Sequence, residues 1–312
     1  MKKNKAISFL KMLGKDLKKY SGAYVLVIPV VIFYILFCYK PMYGLLIAFK
    51  NFRPGLGIWK SPWAGDFGFE HFLDFFHSYY FGRVLKNTLI ISFTTILVSF
   101  PAPIIFALLL NEVKNQKFKR VVQTISYLPH FISMVIVCSM VTMFTSNTGV
   151  ITYLLSLFGY PEISLLSRPE NFVPIYVISG IWQELGWSAI IYIAALAGVD
   201  QELYEAAKID GAGRWQQTIH VTLPGISNTI IIMFILRMGN VMSVGHEKII
   251  LLYNPGIYDT ADVISTFVYR KGLVEAQYSY SSAVGLFNSV INFITVLVFN
   301  KLSKKFSEVS LW

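Results

Sequence analysis

GVDQELYEAAKIDGAGRWQQTIHVTLPG, Gly198 to Gly225, is a charged, glycine-punctuated stretch between two long apolar runs, and the architecture can be built outward from it. Asp200 is placed to cap a helix, because its carboxylate can accept the free N–H groups of a first turn. Good helix formers continue to Asp210, and Gly211 is placed to end the helix. Leu203, Ala206, Ala207 and Asp210 recur at i, i+3, i+4 and i+7, so they share a face. Gly211 and Gly213 permit a sharp change of direction, and a second short helix leads to Leu223-Pro224. The expected product is an L-shaped helical elbow whose alanines let a partner approach closely, with the Glu205 carboxylate at its rim. An amphipathic loop resting on a membrane surface has the same periodicity.

On both sides of the elbow the chain is strongly apolar. Of 312 residues, 55% are hydrophobic, 16% aromatic and 14% charged, with a mean hydropathy of +0.56. Soluble domains carry about 25% charged residues, so an ordinary soluble enzyme, a disordered chain and a disulfide scaffold are all excluded. A membrane-crossing helix needs about 20 apolar residues. The expected spans are Ala23–Phe49, Val84–Leu110, Val121–Phe144, Phe172–Ala197, Leu223–Val244 and Tyr280–Phe299. The fold class is all-α: a polytopic membrane protein of six helices in a single domain, 1–312. The run after the basic N-terminus is long and lacks a cleavage pattern, so it is expected to stay as the first span. Pro29, Pro101, Pro103 and Pro129 fall within or beside spans, where kinked helices are common.

Charge orients the spans. The formal net charge is +10. The arm 1–22 holds Lys2, Lys3, Lys5, Lys11, Lys15, Lys18 and Lys19; the second connection holds Lys114, Lys117, Lys119 and Arg120. Lys208 and Arg214 lie in the elbow, and Lys301, Lys304 and Lys305 in the tail. These segments carry 16 of the 27 basic residues against seven of the 17 acids, leaving the remainder nearly neutral. Basic residues in short loops stay cytoplasmic. Both termini and the loop 198–224 are therefore expected inside, and the basic excess reports topology, with no nucleic-acid partner.

Glu205-Ala206-Ala207, Asp210-Gly211-Ala212, Ile219 and Leu223-Pro224 together resemble the EAA loop of ATP-binding-cassette importer permeases. Leu85-Lys86-Asn87-Thr88, Tyr127-Leu128-Pro129, Leu252-Tyr253-Asn254-Pro255 and Ala261-Asp262-Val263-Ile264 leading to Tyr269-Arg270 extend the likeness over most of the chain. It is similar to binding-protein-dependent permeases of the maltose-type carbohydrate class, within it to complex-polysaccharide, alginate or pectin-fragment importers. It departs at Thr152, a position usually Asn in such relatives. The resemblance implies a type I importer permease fold in a bacterial cytoplasmic membrane. It also implies a non-catalytic subunit beside a second homologous permease, an ATP-binding-cassette ATPase dimer and an extracytoplasmic solute-binding protein. Glu205 would then face a basic residue of the ATPase, Gly211 would set the bend, and Ala206, Ala207 and Ile209 would pack in the ATPase groove, flanked by Asp210, Leu223 and Pro224. The chain has no phosphate-cradling G-x-x-x-x-G-K-[ST] sequence, so ATP and Mg are expected on the partner and no cofactor on this chain.

Polar residues at membrane depth are pathway candidates, because hydrocarbon penalises them. Trp182, Gln183 and Trp187, with Glu184 among them, sit in the fourth span, Arg237 and Asn240 in the fifth, and Asn288 and Asn292 in the sixth. Amides bond sugar hydroxyls and aromatic rings pack on sugar C–H faces. Helix–helix packing by small and polar residues is the competing role. Arg237 facing the pathway favours an acidic sugar; paired with Glu184 it is structural. His71, His77, His130, His220 and His246 are scattered, and Cys38 and Cys138 have no ligand spacing, so neither a metal nor a catalytic site is expected. The aromatics from Phe67 to Tyr80 are expected in an interfacial helix. A gradient-driven transporter, or an ATP-driven importer for a non-sugar solute, is the alternative reading.

Overall fold

The computed structural model describes residues 19–307 and 310. Most of the basic N-terminal arm, including Lys2 through Lys18, lies outside the described residues, as does Glu308. The chain divides into two compact units, one ending at Glu70 and one beginning at His71. Among the described residues the only β pairing is an isolated antiparallel bridge between Lys50 and Trp63.

The first unit is built on α1, Ser21–Phe49. Its turns widen to π geometry at Tyr34–Tyr39, two residues before Pro41. A proline ring clashes with the carbonyl four residues back, and a widened turn carries that carbonyl away. The same device recurs at Thr218–Thr222, two residues before Pro224. After α1, Lys50 Nζ donates to the carbonyls of Ile58, Trp59 and Ser61 at 3.0, 3.1 and 3.2 Å. One ammonium thereby satisfies the C-terminal carbonyls of the short helix Gly57–Lys60.

In the second unit, α2 runs Phe81–Glu112 and α3 Gln116–Phe131. α4, Met134–Phe144, is followed by α5, Pro169–Ala197. The elbow helices are α6, Gln201–Ile209, and α7, Arg214–Gly225, leading into α8, Ser227–Met238. A short α9, His246–Leu252, precedes the terminal α10, Tyr278–Ser307. Among the described residues four helices, α1, α2, α5 and Tyr278–Lys305 of α10, are long and apolar enough to cross a membrane unbroken. The third and fifth expected spans are bent pairs instead: α3 and α4 meet at 99°, α7 and α8 at 62°. The third breaks where Leu128–Phe131 tightens around Pro129 and Ser133 turns extended to cap α4. The fifth ends at Met238, short of the expected Val244, and leaves Asn240 in a turn.

α5 is the central support, packed along the Pro101–Glu112 half of α2 and against α3. Gly186 makes the second contact possible, because a Cβ there would overlap the Ser126 backbone carbonyl. The expected interfacial helix before α2 is partly a core element. Phe75 is fully buried and meets Phe81, Phe267 and Phe287 at ring separations of 5.1, 6.0 and 5.8 Å, whereas Phe67 and Tyr79 are exposed and lie outside the helix Glu70–His77.

Candidate coupling loop and membrane pathway

The elbow forms from the residues that specify it. The Asp200 carboxylate accepts the Glu202 N–H at 2.9 Å, opening α6. At the other end Gly211 takes φ +78°. Its N–H bonds the Lys208 carbonyl at 3.0 Å, and the Ala212 N–H reaches back to Ala207 at 2.8 Å. These paired bonds are a Schellman closure, which requires a left-handed residue where Gly stands. Gly213 N–H then donates to Gln216 Oε1 at 2.8 Å to start α7. The arms are braced by Tyr204 Oη and Thr222 Oγ1, 3.0 Å apart. Glu205, Ala206, Ile209, Asp210, Gly211 and Pro224 are exposed; Ala207 and Leu223 are half-buried. Ile209, at 86% exposure, and Trp215, at 74%, leave apolar surface on a polar elbow.

A cavity of about 810 Å³ opens among α2, α4, α5, α8 and α9. Of the sequence candidates, Gln183, Trp187, Arg237 and Asn240 line it; Trp182, Asn288 and Asn292 do not. Trp182 lies exposed elsewhere on α5. Asn292 ties α10 to the turn after α8, accepting the Met242 N–H at 2.8 Å and donating to Ser243 Oγ at 2.7 Å. The buried Asn288 Oδ1 has no hydrogen-bond partner among the described residues.

Arg237 is exposed on the cavity wall, and no ion pair engages it among the described residues. Glu184 pairs with His130 instead, Nδ1 to Oε2 at 3.0 Å. Lys248, absent from the sequence candidates, also reaches the wall. Its Nζ donates to the Tyr176 carbonyl at 2.9 Å and lies 4.8 Å from the Tyr176 ring centre, and burial lowers its pKa to about 8. His130 and Lys248 carried no sequence signal because each acquires its role from residues more than 50 positions away. Among the described residues no group of three or more His, Cys, Asp or Glu could hold a metal.

Residues 99–308 match the family described as the binding-protein-dependent transport system inner membrane component. Protein LplB of Bacillus subtilis is 45% identical over 99% of this chain and 95% of its own length. The polygalacturonan/rhamnogalacturonan transport system permease protein YteP of the same organism is 43% identical over 93% and 89%. Among solved structures, a bacterial ABC transporter involved in import of the acidic polysaccharide alginate superposes with a TM-score of 0.87 at 44% identity, covering 95% of this chain and 99% of that one. A second structure holds the bacterial alginate transporter in complex with an alginate pentasaccharide-bound periplasmic protein, with TM-score 0.87 at 43% identity and the same coverage. With its several apolar helices, this chain belongs to the family of multi-pass inner-membrane permeases of binding-protein-dependent ABC transport systems, and its fold is their type I permease fold.

Proposed function

We propose that the chain is the permease subunit of an ATP-driven importer that moves oligosaccharides, uronate-containing ones among them, from an external solute-binding protein into the cytoplasm. It works beside a second homologous permease, crosses the membrane six times with both termini inside, and leaves ATP and Mg to an ATPase dimer docked on the elbow. The observation that carries the substrate class is Arg237, unpaired among the described residues on the wall of an 810 Å³ cavity. An arginine at membrane depth faces a watered path or a partner in preference to lipid, and its planar fork suits a carboxylate. The names of the relatives support the same class: a polygalacturonan/rhamnogalacturonan permease and an alginate importer. Gln183, Trp187, Arg237 and Asn240 are assigned to the pathway, and Glu205, Ala206, Ile209 and Asp210, all exposed on the elbow, to the ATPase contact. Trp182, Asn288 and Asn292 do not line the cavity.

Transport by the reconstituted complex tests both halves. Arg237→Gln is expected to slow uptake of a uronate oligosaccharide about tenfold or more, the size of one lost charged hydrogen bond, while a neutral oligosaccharide is spared. Equal effects on the two sugars would remove the anion-binding role. Glu205→Ala is expected to permit assembly yet weaken substrate-stimulated ATP hydrolysis, and unchanged transport by that variant rules out the docking assignment.

A further inference from the structure

The turn Leu128–Phe131 that breaks the third span is pressed onto the face of α5 that walls the cavity. Gln183 Nε2 donates to the Ile132 carbonyl at 3.3 Å. His130 Nδ1 stands 3.0 Å from Glu184 Oε2; an ionised carboxylate only accepts, so Nδ1 carries the proton and donates. The imidazole then lies flat on Trp187, ring centres 4.3 Å apart and planes 2° from parallel. Phe131 stands nearly perpendicular to both, 5.5 Å from His130 and 5.6 Å from Trp187. A ring equidistant from the two members of a stack sits beside it and leaves the outer faces uncovered. Trp187 is accordingly still 44% exposed and lines the cavity. The indole is thus held on one face by His130, and part of its remaining surface is open on the cavity wall.

We infer that His130 is the positioning residue of the sugar pathway: held by Glu184, it fixes Trp187 so that the open part of the indole forms a stacking platform for a pyranose ring. A pyranose offers C–H faces that pack on an aromatic plane, and a platform already immobilised loses little entropy when sugar arrives. The inference rests on the oligosaccharide reading above. It also gives the break in the third span a purpose, since a straight helix would not lay residue 130 across Trp187.

The test uses the complete transporter in proteoliposomes with its solute-binding protein and a uronate oligosaccharide. Trp187→Ala and His130→Ala are each expected to lower uptake up to about tenfold, the upper end of an aromatic stacking contribution. The double variant should be no slower than either single one, because the two act as a unit. His130→Phe keeps a flat ring and is expected to recover most of the uptake; His130→Gln keeps a donor to Glu184 without the ring and is expected to stay low. The sugar-induced change in tryptophan emission that disappears in Trp187→Phe should also disappear in His130→Ala. Additive losses, an undiminished emission change in His130→Ala, or His130→Gln outperforming His130→Phe would each overturn the platform. Should His130→Ala fail to assemble, the Phe and Gln variants decide alone. No oligosaccharide uptake by the unaltered importer would remove the substrate reading and the platform together, whereas normal uptake with additive losses removes only the platform.

Discussion

Asp262 is a fully buried carboxylate between two guanidinium groups. Arg270 bonds both of its oxygens, at 3.1 and 2.6 Å, and Thr266 Oγ1 donates to Oδ1 at 2.9 Å. Arg83 lies 3.9 Å from Oδ2 and pairs with the exposed Asp259 at 3.0 Å. Removing one partner of a buried pair strands the other and costs about 3–5 kcal/mol; an exposed pair is worth about 0–1 kcal/mol. Asp262→Asn is therefore expected to lower the melting temperature of the detergent-solubilised protein far more than Asp259→Asn, and equal shifts would contradict this account. Lys248 offers a second test outside the spans. Burial lowers its pKa from 10.5 to about 8, so between those values the unfolded chain binds more protons than the folded one. The contribution of Lys248 to stability therefore rises with pH across that window. Lys248→Met is expected to flatten the rise between pH 8 and 10.5 in chemical-denaturation profiles; an unaltered pH dependence would refute it. Asp262 and Arg270 are visible in the sequence only as parts of a family-like stretch. Their pairing needs the helix Ile264–Tyr269 to carry one over the other.

Among the elements, those specified locally were legible and those specified by distant contacts were not. The elbow follows from Asp200 and Gly211, whose roles depend on residues within a few positions. Gly211→Ala must hold a Cβ at φ +78°, a conformation costing about 1–2 kcal/mol for residues other than glycine. The last turn of α6 is then expected to fray, seen as faster hydrogen exchange at the Ala212 amide, while Gly211→Asn is milder because Asn tolerates this conformation. Unchanged exchange in Gly211→Ala would mean that the Schellman closure does not hold the bend. The broken third span illustrates the other case. Residues 121–144 read as one apolar run, and Pro129 alone does not impose a 99° turn, since Pro101 and Pro103 sit inside the continuous α2. The turn is held by Gln183, Glu184 and Trp187, and by the close approach of Gly186 to Ser126. Those contacts span more than 50 residues and leave no periodic trace in either segment.

For the whole molecule, the two bent pairs decide the topology. If each crosses the membrane, six spans place Phe158 outside and Ile209 inside. If each is re-entrant, the four unbent helices invert both: Phe158 falls inside and Ile209 outside. Charge separates these arrangements. The six-span order gathers Lys114, Lys117, Lys119, Arg120, Lys208 and Arg214 on one side with the basic terminal segments, as positive-inside retention requires. The four-span order sends the elbow, with its exposed Glu205 and Ile209, to the outer face, where no ATPase can meet it. Phe158 and Ile209 are 90% and 86% exposed, so both are accessible to a reporter. With Cys38 and Cys138 replaced, Phe158→Cys is expected to react with a membrane-impermeant thiol reagent in intact cells, and Ile209→Cys only in inside-out vesicles. The reverse pattern would establish the four-span order and overturn the coupling role of the elbow in the same experiment, because a docking loop must share a compartment with the ATP-hydrolysing subunit.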